Sequence, residues 1–184
     1  MMFSVSFASG GPDFGLRYSK TLGNIQDCRG GVIPCFFYLF AVLALGLMCG
    51  SELNVAAFAH PTFERQQPEV HVLMSSSFAR LFGRVMPFWM TGSTLLNLLL
   101  LFPFAHLSQS ARHLASIALA LQIFAVVFSL IGPVPINNRM AKWTPQTVPE
   151  DWVAQEHRWD LYHSIRTCAL IVAFAILVLS ASLS

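Results

Sequence analysis

The residues best suited to chemistry lie in the run RWDLYHSIR near the carboxyl-terminal part of the chain. Trp159, His163 and Arg166 are spaced by four and three residues. This spacing puts the three side chains on one face of a helix. An imidazole exchanges protons near neutral pH, a guanidinium binds oxyanions, and an indole offers a flat surface to a planar ring. The pattern predicts a site that takes up a proton beside an aromatic wall.

Other polar or titratable residues occur near the ends of the remaining apolar runs. An ionisable side chain is costly inside a membrane, so each is expected to have a partner or a function. These residues are Glu52 and His60 in the first run, Arg84 in the second, Asn137 after the third and Asp160 in the fourth.

The composition is that of a membrane protein. Hydrophobic residues make up 55% of the 184 residues and charged residues 11%, whereas a soluble domain has about 25% charged residues. A net charge of +2 is too small to indicate a nucleic-acid partner. We therefore expect a multi-pass integral membrane protein, in a plasma or inner membrane, whose surroundings are the lipid bilayer.

The apolar runs predict an all-α fold, a transmembrane four-helix bundle of antiparallel up-down topology. A helix needs about 20 apolar residues to cross the hydrocarbon layer. Residues 1–31, rich in Gly and Ser, are expected to form a flexible N-terminal tail, and 32–184 the transmembrane domain. The predicted spans are about 33–60, 79–104, 112–134 and 158–182.

Antiparallel spans bring the polar segments to one end of the bundle. The late part of the first helix, the start of the second, the end of the third and the start of the fourth meet at the same membrane face. The opposite ends of the spans are nearly all apolar. The expected result is a polar pocket at one end and an apolar, closed opposite end.

Residue spacing also predicts which face of each helix turns inward. On the fourth helix the predicted face continues through Leu170, Ala173 and Leu177. A small-residue stripe on the first helix predicts close approach of another helix, and such a face could also join copies into a homo-oligomer. The stripe consists of Gly46, Gly50 and Asn54. On the second helix, the residues predicted to face inward are Arg80, Arg84, Pro87, Thr91 and Thr94.

The acidic residues of the site are expected to neutralise its arginines, because buried charges persist when they are paired. This pairing would set Glu52, Glu156 and Asp160 against Arg80, Arg84 and Arg166. His71 falls in a segment, 62–78, that is expected to be a polar loop, and no helper group stands at a useful spacing from it.

Three segments resemble the anthrone oxygenase-like integral membrane family. They are GSELNVAAFAHPTF, VPINNR and RWDLYHSIR, and the resemblance extends over roughly residues 35–182. It implies a four-helix membrane protein and an oxidation of aromatic anthrones to anthraquinones by dioxygen. The positions it marks are Asn137, Trp159, His163 and Arg166, with Glu52 and His60 matching less strictly.

The first hypothesis is a cofactor-independent oxygenase that acts on a hydrophobic phenolic or polyketide-type substrate. His163, with Glu52 as a second candidate base, would remove an acidic C–H proton. Arg166 and Asn137 would stabilise the resulting enolate or phenolate. The carbanion would react directly with dioxygen, and no metal ligand is assigned. The predicted substrate-binding residues are Asn137, Trp159, Asp160, Arg84 and His60.

Two alternatives stay open from the sequence. A haem- or metal-binding redox protein would need His60 and His163 to approach one another, with Glu52 and Asp160 nearby. A non-enzymatic binding or assembly protein would use the same bundle without catalysis.

Overall fold

The computed structural model describes residues 32–183, and all regular structure within this range is helical. The predicted tail, 1–31, lies outside the described residues. A π-helical segment, Val55–Ala59, joins the first two helices, and a short 3-10 turn, Pro103–Ala105, follows the third. The α-helices are α1 Val32–Asn54, α2 His60–Glu64, α3 Pro68–Leu100, α4 Gln109–Ile131, α5 Pro133–Met140 and α6 Trp152–Ala181.

Three helical stretches are long and apolar enough to cross a membrane. They are Pro34–Glu64, Gln109–Ile131 and Trp152–Ala181. Helix α3 has the length but not the apolar character, since two arginines and several Ser and Thr residues lower its mean hydropathy. Large apolar side chains are exposed on the outer surface, as lipid contact favours; they include Phe36, Phe58, Phe88 and Ile131.

Helices α1 and α6 run in opposite directions and are joined by hydrogen bonds to backbone carbonyls. The Tyr38 hydroxyl donates to the Leu177 carbonyl over 3.0 Å. The Cys49 thiol donates to the Leu170 carbonyl over 3.3 Å. Because the partner numbers fall along α6 as they rise along α1, the two helices are antiparallel.

Helix α4 lies against α6 along a row of small side chains. The Ser180 hydroxyl donates to the Ala111 carbonyl over 2.6 Å, an approach that larger side chains would prevent. The prediction for α6 is confirmed here, because Leu170, Ala173 and Leu177 are all buried. The facing alanines of α4, also buried, are Ala111, Ala115, Ala118 and Ala125.

The predicted inward face of α3 is wrong by about one residue. Arg80 and Arg84 are exposed. Long charged side chains reach outward to a polar phase, and small or flexible side chains fill the interior instead. Helix α3 also begins at Pro68, so 68–78, expected to be part of a loop, is helical. The buried face of α3 holds Ser75, Ala79, Met86, Met90, Ser93 and Asn97.

The predicted stripe on α1 is wrong for two of its three members. Gly50 and Asn54 are exposed, and a methyl group built on Gly50 would meet nothing within 4 Å. Only Gly46 is closely packed, with the Phe174 ring of α6 2.8 Å from where its Cβ would be. The buried side of α1 is a neighbouring face that includes Leu45, Met48 and Glu52.

Candidate functional site

A π-helical segment turns the end of the first helical stretch so that two polar residues face inward. The His60 backbone N–H donates to the Val55 carbonyl, five residues back. In a regular α-helix, Glu52 and His60 would lie about 80° apart around the axis. The wider π turn advances each residue by a smaller angle and reduces this offset. Glu52 and His60 are both buried, and such segments recur at functional sites.

Glu52, His163 and Arg166 meet in the interior, as the sequence predicts. Arg166 Nη2 donates to Glu52 Oε2 over 2.5 Å, and His163 Nδ1 lies 3.2 Å from the same oxygen. Arg166 Nη1 donates to Ser129 Oγ over 3.3 Å. Each of the three residues is at least nine-tenths buried. A buried carboxylate with a guanidinium at this distance forms a paired charge rather than an isolated one.

Both ring nitrogens of His163 have partners. Its Nε2 lies 3.1 Å from the Glu52 backbone carbonyl, which only accepts, so Nε2 carries the proton. Its Nδ1 lies 3.0 Å from Arg166 Nη2, which only donates. A neutral imidazole with its proton on Nε2 satisfies both contacts. In that tautomer the lone pair of His163 Nδ1 faces Arg166 Nη2, with Glu52 Oε2 3.2 Å away.

Trp159 is stacked between two histidines. Its ring lies 4.6 Å from that of His60, at an interplanar angle of 12°, and 4.6 Å from that of His163, at 9°. His60 comes from the first helical stretch, whereas the other two belong to α6. The stack holds the planes of both imidazoles nearly parallel to that of the indole.

His60 has a carboxylate partner of its own. Its Nδ1 lies 2.7 Å from Asp160 Oδ1. The His60 side chain is 7% exposed and that of Asp160 is 32% exposed. The pair therefore extends from the interior towards the surface, and the sequence-predicted Asp160 belongs to the site through His60.

A third histidine–carboxylate pair was missed by the sequence prediction. His71 Nε2 lies 2.8 Å from Glu156 Oε2, and both side chains are buried. The His71–Glu156 pair is not found from the sequence because 62–78 is expected to be a loop, where the side chain of His71 would have no defined direction. The spacing of His71, Ser75 and Ala79, four residues each, continues the buried face of α3 towards its start at Pro68 and could have identified the pair.

A cavity of about 160 Å³ opens beside these residues. It is bounded by α3, α4, α5, the first helical stretch and α6. The apolar part of its wall includes Phe78, Phe82, Met86, Met90, Leu130 and Met140, and the polar part His60, Ser75, Thr91, Ser129, Asn137, Asn138, Trp159, His163 and Arg166. The carboxylates of Glu52, Glu156 and Asp160 do not line the cavity. Hydrogen-bond donors and imidazole rings therefore face the cavity, and the acidic groups lie farther from it.

Asn137 lines the cavity from α5, a short helix where the sequence predicted only a loop. Its Nδ2 donates to the Ala79 carbonyl of α3 over 3.0 Å. Gly83 allows this contact, since a Cβ there would lie 2.9 Å from Asn137 Nδ2. Asn137 thus braces α5 against α3 and presents the rest of its amide to the cavity.

Arg84 is the predicted site residue that the structure does not bring to the cavity. It is exposed on α3 and follows Gly83, which lines the cavity, by one residue. A single helical step turns a side chain by about 100°, so Arg84 points away. Arg80 is also exposed and donates to the Ala141 carbonyl and to Ser77. The expected ion pairs of Arg80 and Arg84 with the acids are therefore not formed.

The residues described by the structure bring together no three His, Cys, Asp or Glu side chains that could hold a metal ion. The metal hypothesis required His60 and His163 to approach one another. In the structure both rings instead stack on Trp159, His60 pairs with Asp160, and His163 contacts Glu52 and Arg166. Within the described residues the structure therefore does not support this alternative.

One cavity-lining group has unused hydrogen-bonding capacity. The Trp159 indole N–H is buried and has no partner within residues 32–183. A buried polar group without a partner is costly, so this N–H is available to a ligand. Together with Arg166 and Asn137 it makes the cavity suited to an apolar molecule that carries oxygen atoms.

The family resemblance is confirmed by comparison with known proteins. No match to the chain was found among the curated proteins or among the solved structures. The sequence model of a family described as anthrone oxygenase matches residues 75–176. This segment runs from the first cavity-lining residue of α3 to the apolar part of α6, and it includes Trp159, His163 and Arg166. The match covers more than half of the chain, and the protein therefore belongs to the anthrone oxygenase family.

Proposed function

We propose that this protein is a membrane oxygenase that converts a hydrophobic anthrone-type phenolic substrate to the corresponding quinone with dioxygen. The observation that carries the proposal is the cavity of a family member in which a buried guanidinium, Arg166, lies beside apolar walls. A planar phenolic molecule dissolved in lipid matches both features.

The proposed membrane arrangement is a four-helix antiparallel bundle with a polar pocket at one end. Three stretches have the length and apolar character to span, and we assign α3 as the fourth. Its exposed side chains beyond Pro87 are largely apolar, among them Phe88, Leu95, Leu98 and Leu99. Arg80 and Arg84 then lie near one interface, where long cationic side chains reach water.

The charge arrangement supports binding of an anionic oxygen. Arg166 lines the cavity, and Glu52 holds its Nη2 from behind. Ser129 contacts Nη1, while Nε has no partner within the described range. A fixed cation in a site of low polarity stabilises a developing enolate or phenolate far more than one in water does. In this proposal Glu52 positions the Arg166 side chain, and Arg166 stabilises the enolate or phenolate of the substrate.

The reaction proposed is balanced by dioxygen alone. A proton leaves the activated methylene, and its electron pair is delocalised as an enolate. The carbanion forms a C–O bond with dioxygen, and the peroxide takes up a proton. Loss of the second methylene proton then breaks the O–O bond and expels hydroxide, which is protonated to water. One CH2 group and one O2 give one C=O group and one H2O.

Oxygen uptake by the purified protein in lipid nanodiscs tests this function. With anthrone as substrate, the wild-type protein is expected to consume dioxygen and form anthraquinone faster than empty nanodiscs. Removal of the buried cation together with its counter-charge, in Glu52→Gln/Arg166→Met, should lower kcat/KM by roughly a hundredfold. Arg84→Gln, a matched loss of an arginine outside the cavity, should not.

Two results would overturn the proposal. Equal rates for the wild-type protein and empty nanodiscs would show that the protein does not oxidise anthrone. Equal loss in the Arg84→Gln and double variants would separate activity from the cavity. Tight binding of a hydroxyanthraquinone without any oxygen uptake would favour the non-enzymatic binding protein instead.

A further inference from the structure

We infer that His60, and not His163, is the catalytic proton acceptor, and that Asp160 is its positioning residue. The inference rests on the proposed function and assigns the base that this reaction requires. In the oxygenase hypothesis drawn from the sequence, His60 and Asp160 are substrate-binding residues and neither is the base.

The contact between His60 and Asp160 leaves one ring nitrogen free. A carboxylate oxygen only accepts, so the 2.7 Å distance from Asp160 Oδ1 requires the proton on His60 Nδ1. In the neutral imidazole, Nε2 then has an unshared lone pair. No residue of 32–183 bonds to this nitrogen, and His60 lines the cavity. A carboxylate that fixes the tautomer of a histidine base is a recurring catalytic arrangement.

His163 lacks that freedom. Its Nε2 donates to the Glu52 carbonyl and its Nδ1 faces Arg166. To take up a substrate proton it would have to give up the Arg166 contact and become a cation beside that guanidinium. The Glu52 oxygen 3.2 Å from His163 Nδ1 already neutralises Arg166, so two buried cations 3.0 Å apart would share one carboxylate, which is unfavourable. His163 is therefore better suited to hold Arg166 and the stack in place.

Two features hold the His60 ring at the cavity. Trp159 covers one face of the imidazole at 4.6 Å, and Phe63 lies 5.7 Å away, tilted by 45°. The π segment ends immediately before His60 and sets the direction of its side chain. A base held in one orientation loses little freedom when substrate binds.

His60 can carry out every proton transfer of the proposed reaction and return to its starting state. Its Nε2 takes the first methylene proton as the C–H bond breaks, and returns it to the peroxide formed with dioxygen. It then takes the second methylene proton as the C=O bond forms and hydroxide leaves, and gives that proton to the hydroxide. The Asp160 carboxylate, 2.7 Å from His60 Nδ1, stabilises the imidazolium that forms at each transfer. Its partial exposure keeps the carboxylate in contact with the surface.

Binding of alizarin tests the inference without oxygen chemistry. Alizarin is a hydroxyanthraquinone whose colour reports ionisation of its phenol. In nanodiscs at a pH low enough that alizarin free in water stays neutral, the ligand bound to the wild-type protein is expected to be largely phenolate. In His60→Gln it should be largely neutral, because the acceptor is lost. The matched control is His71→Gln, which breaks a buried histidine–carboxylate pair that does not line the cavity; its bound alizarin should stay ionised.

Steady-state kinetics with anthrone provide the second readout. His60→Gln should lower kcat by roughly a hundredfold or more, and added imidazole should restore part of the rate in His60→Ala. Asp160→Asn should lower kcat with little change in KM, and Asp160→Glu should recover part of it. A merely structural role for Asp160 would lower the folded fraction without this division between kcat and KM.

The outcomes separate the two proposals. If alizarin binds as phenolate in His60→Gln as it does in the wild-type protein, His60 is not the acceptor, whatever the oxygenase assay gives. If its ionisation depends on His60 but no variant or wild-type protein consumes dioxygen with anthrone, the oxygenase function fails and the proton acceptor stands. Equal loss of kcat in His71→Gln and His60→Gln, at equal folded amounts, would also overturn the inference.

Discussion

The two ends of the molecule satisfy their buried polar groups in different ways. At the end away from the cavity, where α1 begins and α6 ends (the closed end), Tyr38 and Ser180 donate to backbone carbonyls of neighbouring helices. At the cavity end, side chains contact one another, and most pairs include a charge, as between Glu52 and Arg166. Because every helix offers backbone carbonyls as acceptors, the buried hydroxyls at the closed end are satisfied without an ionised side chain. At the cavity end the buried guanidinium is held by side chains of other helices, an arrangement that agrees with the proposed anion-binding role of Arg166.

Removing one member of the central ion pair tests this comparison most strongly. Arg166→Met leaves the Glu52 carboxylate buried without its guanidinium, and we expect the free energy of unfolding to fall by about 3–5 kcal/mol. The Glu52→Gln/Arg166→Met variant should regain most of this loss. Thermal unfolding in detergent micelles measures both. A single variant as stable as the wild-type protein would show that the pair does not neutralise Glu52.

A methyl group added in the middle of α1, outside the cavity lining, should destabilise the protein without affecting the ligand. Gly46→Ala brings a Cβ within 2.8 Å of the Phe174 ring, and overpacking of this kind costs about 1–3 kcal/mol. Gly50→Ala is the matched control, because it meets nothing within 4 Å and favours the helix. The melting temperatures should differ while alizarin affinity stays equal; equal melting temperatures would contradict the close packing.

Loss of one backbone-directed hydrogen bond at the closed end should have a smaller effect. Ser180→Ala removes the donor to the Ala111 carbonyl, and we expect about 1 kcal/mol of destabilisation. Anthrone oxidation per folded molecule should not change. If Ser180→Ala lowered kcat as much as the double variant at Glu52 and Arg166 does, the two ends would not be functionally separate.

A methyl group added at the cavity end should have the opposite signature to that at Gly46. Gly83→Ala puts a Cβ 2.9 Å from the amide of Asn137, the far end of a side chain that can rotate. Its cost and the gain in helix propensity should leave stability within about 1 kcal/mol of the wild type. Alizarin affinity should fall roughly threefold as the amide moves. Unchanged affinity with lower stability would make Asn137 only a brace.

The inward face of α6 could be read from the sequence because the pattern there is unambiguous. Trp159, His163 and Arg166 continue into Leu170 at helical spacing, and one helix is enough to predict that they share a face. On α3 the same reasoning chose the wrong face. Polar residues there are arginines that extend outward, and the interior is filled by residues such as Met86 and Ser93. Spacing alone cannot tell an inward polar side chain from one that reaches water.

The sequence by itself determined that the chain is helical and apolar, that it belongs with the anthrone oxygenases, and that α6 presents an aromatic, basic face. These properties follow from composition and from spacing within one helix. Only the tertiary structure decided that Trp159 stacks on both His60 and His163, and that His60 pairs with Asp160. Those contacts join the first helical stretch to α6. They depend on the π-helical segment Val55–Ala59, whose sequence, VAAFA, does not distinguish it from an ordinary α-helix. Local periodicity fixes a helix face, whereas the partner of that face is set by packing between distant segments.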